Sequence, residues 1–91
     1  MLLITTYTVK PYIADEETAE LMAVFAEGGA APGEIAHYVN ADGGGGVVIS
    51  EVDDIMPSYR NNLNYAKWLT FESRVVVKVG DAVPHILDAL S

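Results

Sequence analysis

The chain has no cysteine, which excludes a disulfide framework, a thiolate nucleophile and a cysteine-ligated metal. Positive charge is nearly as scarce. Lys10, Arg60, Lys67, Arg74 and Lys78 stand against 13 acidic residues, for a net charge of −8. A nucleic-acid binder needs a basic footprint to displace counterions from phosphates, and here the sum has the wrong sign. An anionic membrane surface is disfavoured for the same reason. No stretch approaches the roughly 20 apolar residues that a membrane span requires. Met1-Leu2-Leu3-Ile4 lacks both the basic flank and the long apolar region of a signal peptide. The expectation is a cytoplasmic protein, with neither nucleic acid nor membrane among its partners.

What is present is ordinary globular composition, 51% hydrophobic and 20% charged over 91 residues, enough for one domain spanning residues 1–91. Leu2 to Val9 is rich in threonine and β-branched residues and stops at Lys10-Pro11, so it reads as a strand. Asp15-Glu16-Glu17 opens a helix whose Thr18, Leu21, Met22, Phe25 and Ala26 form one apolar stripe, expected to be buried, and Gly28-Gly29 ends it. Strands over Ile35–Ala41 and Val47–Val52 flank a glycine-rich turn, Asp42 to Gly46. Asp53-Asp54 caps a second helix with Pro57 in its first turn and a stripe of Ile55, Tyr59, Leu63 and Ala66. A fourth strand runs from Leu69 to Val79. Gly80-Asp81 then introduces a short last helix with Val83, Ile86, Leu87 and Leu90 on one side.

This order predicts an α+β fold of the ferredoxin-like βαββαβ type with a short C-terminal helix. Its four-stranded antiparallel sheet has the expected order 4-1-3-2 and both main helices on one face. The unbroken apolar runs Leu2-Leu3-Ile4, Val47-Val48-Ile49 and Val75-Val76-Val77 imply burial on the other face too. That face has a flat footprint of roughly 300 Å², too apolar to be left to water. A homodimer through the open sheet face is therefore expected, with Glu72, Arg74 and Lys78 at its rim or in a polar part of it.

Few residues carry obvious chemistry. His37 in the second strand is a general-base candidate if a carboxylate fixes its tautomer, and Glu51 is the candidate partner. A three-residue glycine loop places them on one face; a two- or four-residue loop places His37 with Val48 and Ser50, and Glu51 with Tyr38. Arg74 could orient a carboxylate ligand or simply pair with Glu72. Tyr7, Tyr38, Tyr59, Tyr65 and Trp68 could line an aromatic ligand pocket or serve as plain core. The glycine run is a hairpin and no phosphate loop, because a strand follows it and no Lys-Ser/Thr does. Glu51, Asp53 and Asp54 could offer three carboxylates to a hard cation such as Ca²⁺ or Mg²⁺, but helix capping accounts for them and no metal is expected; His85 is read as a surface residue.

The segments Thr5-Thr6-Tyr7-Thr8-Val9-Lys10-Pro11, Asp42 through Val48, and Ser50-Glu51-Val52-Asp53-Asp54 resemble those of the dimeric α+β-barrel superfamily. That superfamily includes antibiotic-biosynthesis-monooxygenase-like and stress-responsive barrel domains. The resemblance implies a homodimer with its two sheets face to face and a small cavity between sheet and helices in each subunit. Trp68 lies at the end of the second helix and no tryptophan directly follows the third strand, so the catalytic residues of the monooxygenase branch are not assigned to positions of this chain. The chain is also too short for the haem-holding relatives, and no cofactor is expected. The favoured function is a non-catalytic homodimer or one binding a small hydrophobic ligand. The alternatives are a cofactor-free monooxygenase-like or isomerase-like enzyme on a small aromatic substrate, and an acidic protein engaging a basic partner.

Overall fold

The computed structural model describes residues 1–11 and 13–91. Along the chain run β1 (Leu2–Val9), α1 (Asp15–Gly28), β2 (Glu34–Val39), β3 (Gly45–Glu51), α2 (Met56–Leu63), β4 (Leu69–Val76) and α3 (Val79–Leu90). The strands make one antiparallel sheet in the order β2-β3-β1-β4. This is the ferredoxin-like order expected from the sequence. Among the described residues no helix is long and apolar enough to cross a membrane.

Local chemistry explains most of the element ends. Asp15, Glu16 and Glu17 occupy the first turn of α1, where carboxylates complement the helix dipole. Gly29 closes the helix at φ 68°, a conformation that favours glycine, and its N–H donates to the Phe25 carbonyl at 3.1 Å. Asp54 Oδ1 accepts the Met56 N–H at 3.0 Å, and Pro57 sits in the first turn of α2. The fourth strand ends at Val76, three residues short of the expected Val79. Its only neighbour, β1, begins at Leu2 opposite Val76, so no ladder remains for residue 77 onward, and Val79 instead opens α3.

The hairpin is the part that fixes the faces of the sheet. Asn40 N donates to Gly45 O at 2.8 Å and closes a four-residue loop over 41–44. His37 therefore stands opposite Val48, Tyr38 opposite Val47 and Val39 opposite Gly46. Leu3, Thr5, Tyr7, His37, Val48, Ser50, Leu69 and Phe71 face the helices. Leu2, Ile4, Val47, Ile49 and Val76 are half-buried on the other side, where Ile4 pairs with Ile49 and Leu2 with Val76. Glu72 and Arg74 share that open face but lie on the edge strand β4, at its rim.

The core is thin. Tyr65, Trp68 and Leu69 are buried together, with Tyr7, Val9, Leu21, Val24 and Phe71 packed against them. The two stripes expected to be buried are not. In α1 Met22 and Phe25 remain 56% and 41% exposed, and both line a cavity between that helix and the sheet. In α2 the expected stripe of Ile55, Tyr59, Leu63 and Ala66 points outward, while Ser58 and Tyr65 turn in. The third helix buries none of its apolar side: Val79, Val83, Ile86, Leu87 and Leu90 are all exposed.

Because Trp68 anchors the only buried aromatic cluster among the described residues, Trp68→Ala is expected to cost roughly 3–5 kcal/mol. Urea unfolding followed by circular dichroism measures it. A loss below 1 kcal/mol would place the core elsewhere.

Candidate functional site

The site begins with an absent side chain. Tyr7 in β1 pairs with Gly46 in β3, and β3 separates β1 from β2. To touch β2 the Tyr7 ring must reach across two strand spacings, roughly 9.6 Å. A Cβ on Gly46 would collide with the Tyr7 hydroxyl and with the Tyr38 carbonyl, so only glycine leaves the path open. The ring passes over it, and Tyr7 Oη lies 2.6 Å from His37 Nε2.

A second device supplies the carboxylate. Strand residues three apart point to opposite faces, yet Glu34 and His37 share the helix-facing side. A β-bulge between Glu34 and Ala36 sets Glu34 opposite Ser50 and Ala36 opposite Ile49, leaving Ile35 over. Glu34 Oε1 then approaches His37 Nδ1 at 3.8 Å. That is too long for a direct hydrogen bond and close enough for its charge to favour a proton on Nδ1. In that tautomer, assigned from the network, the Tyr7 hydroxyl donates and Nε2 accepts. Burial first, and the nearby Glu34 charge second, push the Tyr7 pKa above its usual 10.0, which keeps the phenol neutral. Tyr7 and Phe25 also meet the imidazole edge-on, with centroids 5.6 and 6.0 Å away.

These groups line a cavity of about 260 Å³ between sheet and helices. Leu21, Met22 and Phe25 of α1 and Leu3, Val48, Leu69 and Phe71 of the sheet make its walls mostly apolar, and Ser58, Asn61 and Asn62 of α2 face it from above. The Ser58 hydroxyl is buried and has no hydrogen-bond partner among the described residues. An apolar chamber with a few convergent polar groups is the usual form of a small-molecule site.

The register decides the open question about His37. Its four-residue loop puts Glu51 on the opposite face of the sheet, where Glu51 Oε1 pairs with the Met1 amino group at 2.9 Å. His37 and Glu51 do not meet. Arg74 pairs with Glu72 on the exposed edge, away from the cavity. Of the aromatic candidates, Tyr7 and Tyr65 line the cavity. Tyr38 is 63% exposed on the open sheet face and Tyr59 is 58% exposed on the outer side of α2. Trp68 is buried in the core cluster with Lys67 Nζ 5.5 Å from its ring, and His85 is exposed on α3.

Three contributors escape a reading of the sequence. Glu34 reaches the site only through the bulge, Gly46 looks like part of a flexible turn, and Ser58 is a polar residue on the inward face of a helix. Only the proximity of Glu34 to His37 in the chain offered a signal.

Residues 1–90 match the family model described as a domain of unknown function, DUF3303, and the chain belongs to that family. No curated protein matches it.

Gly46→Ala is expected to displace the Tyr7 ring and destabilise the fold by roughly 1–3 kcal/mol. Loss of nuclear Overhauser contacts between the Tyr7 and His37 rings would report the displacement. An alanine variant with wild-type stability and intact contacts would contradict the assigned packing.

Proposed function

We propose that the protein is a homodimeric small-ligand-binding protein of the α+β-barrel kind, which takes a small, largely hydrophobic molecule into the cavity between its sheet and helices. The cavity itself carries this reading. Its volume of about 260 Å³ exceeds the roughly 150 Å³ that holds a benzene molecule in an engineered apolar core, and falls just short of drug-sized pockets. A ligand of one or two rings matches that space. The unpaired Ser58 hydroxyl favours a ligand with at least one polar atom, since a buried hydroxyl left unbonded costs stability.

The dimer rests on a separate observation. A chain of 9.8 kDa is expected to expose roughly 5,200 Å² when folded. This one exposes 6573 Å². The excess, roughly 1,400 Å², is the scale each partner buries in an obligate dimer. The radius of gyration tells the same story, at 16.0 Å against roughly 12 Å for a globule of this length. The surplus surface is apolar in two places, the open sheet face and the uncovered side of α3. A second copy meeting the open face covers Leu2, Ile4, Val47, Ile49 and Val76, with Glu72 and Arg74 left at the polar rim.

For the ligand, titration with the neutral bicyclic phenol 2-naphthol is expected to give saturable shifts in the nuclear magnetic resonance signals of Tyr7, Phe25 and Val48. Val48→Phe fills the chamber and should weaken binding by at least about tenfold. Shifts that ignore this substitution would place the ligand elsewhere. For the dimer, Val76→Glu is expected to yield monomers or insoluble protein, because an unpaired buried charge costs several kcal/mol. A soluble, fully dimeric Val76→Glu variant would remove the open face from the interface.

A further inference from the structure

We propose that Tyr7, His37 and Glu34 form a proton-transfer chain that interconverts the keto and enol forms of a small, neutral 1,3-dicarbonyl compound. This deepens the reading of the cavity as a ligand site and rests on it.

The arrangement has the parts such a reaction needs and lacks those of the competing ones. An acidic C–H requires a base able to hold the proton and a group able to return it to a different atom. The 2.6 Å contact between Tyr7 Oη and His37 Nε2 provides a path for both transfers. As the substrate's C–H proton passes to Tyr7 Oη, the hydroxyl's own proton passes to His37 Nε2. The C–H electron pair becomes the enolate double bond, and the carbonyl π pair moves onto oxygen. The imidazolium forms with Glu34 Oε1 3.8 Å from its Nδ1. In the return step His37 gives its proton to Tyr7, and Tyr7 gives one to the enolate oxygen. A proton has moved from carbon to oxygen, nothing is oxidised or reduced, and no co-reactant is consumed.

Acyl transfer fits less well. The Ser58 hydroxyl touches no base among the described residues, so it is no activated nucleophile. Ser58 lines the α2 wall with its hydroxyl unpaired among the described residues, and a second carbonyl on the substrate would give it a partner. The preference for a neutral compound follows from charge. Glu34 lies in the cavity wall, and no lysine or arginine among the described residues lines it to balance an anionic ligand. The bulge strengthens the assignment. A purely structural Tyr7–His37 bond needs no carboxylate behind it, whereas a chain that must carry a positive imidazole does.

The test uses the whole chain and benzoylacetone, an aromatic 1,3-diketone whose enol absorbs in the near ultraviolet. Binding is followed by resonance shifts at the cavity, and ketonisation by loss of enol absorbance after dilution into water. The wild type is expected to speed ketonisation in proportion to protein concentration. Tyr7→Phe keeps the ring and should lower kcat by about a hundredfold or more with little change in KM. His37→Gln should do the same, and it carries the test if Tyr7→Phe does not fold. Glu34 acts as a positioning residue, and Glu34→Gln should lower kcat by about tenfold while leaving KM unchanged. Binding without acceleration, or a Tyr7→Phe variant at full rate, overturns the proton-transfer proposal and leaves the ligand site standing. Failure of benzoylacetone to bind overturns the proposal, and the 2-naphthol titration then decides separately whether the ligand site stands.

Discussion

The register of β3 against its two neighbours is the constraint on which the rest of this molecule depends. A slip of one residue would turn Val48 and Ser50 from the cavity to the open face and send Val47 and Ile49 the other way. The glycines at its start hold it in place. A Cβ at Gly45 would strike the Tyr7 carbonyl of β1, and one at Gly46 would strike the Tyr7 hydroxyl and the Tyr38 carbonyl of β2, so β3 meets its two neighbours here only because it offers two glycines in succession. The second of them also opens the path for Tyr7 to reach His37. One local requirement thus sets the sheet's packing and the geometry of the site together.

The elements most legible in the sequence are those decided by short-range chemistry. Gly28-Gly29 ends α1, Asp54 holds the start of α2, and the apolar runs of β1 and β3 mark strands with two faces to cover. The phase of α2 was not legible. Ile55, Tyr59 and Leu63 make a convincing apolar stripe, yet the face that turns inward carries Ser58, Asn61 and Asn62. A helix that roofs a cavity need not present its greasiest side to the sheet, and a cavity leaves no periodic signature. The carboxylate behind His37 was hidden for a different reason. Alternation assigns Glu34 to the wrong face, and only the pairing of two strands produces the bulge that reverses it. Tyr38 fails as a pocket residue by the same alternation, since its neighbour His37 takes the inner face.

A thin core and a polar site belong to one economy of structure. The chain places Tyr7, His37 and Glu34 where a larger domain would place aliphatic side chains, and it keeps a chamber where close packing would otherwise stabilise the fold. Its buried apolar residues gather at one end, around Trp68, while much apolar surface stays outside on the sheet and on α3. A second copy covering that surface would restore stability that the site withholds from the single chain.

The most direct measurement of the central claim is the nitrogen resonance spectrum of the His37 imidazole, recorded by long-range proton–nitrogen correlation in the wild type and in Tyr7→Phe. If the Tyr7 hydroxyl bonds Nε2 across Gly46, removing it shifts the Nε2 resonance strongly while Nδ1, on the Glu34 side, moves little. Identical His37 spectra in the two proteins would mean that the ring of Tyr7 never reaches the histidine, and the site built on that contact would fall with it.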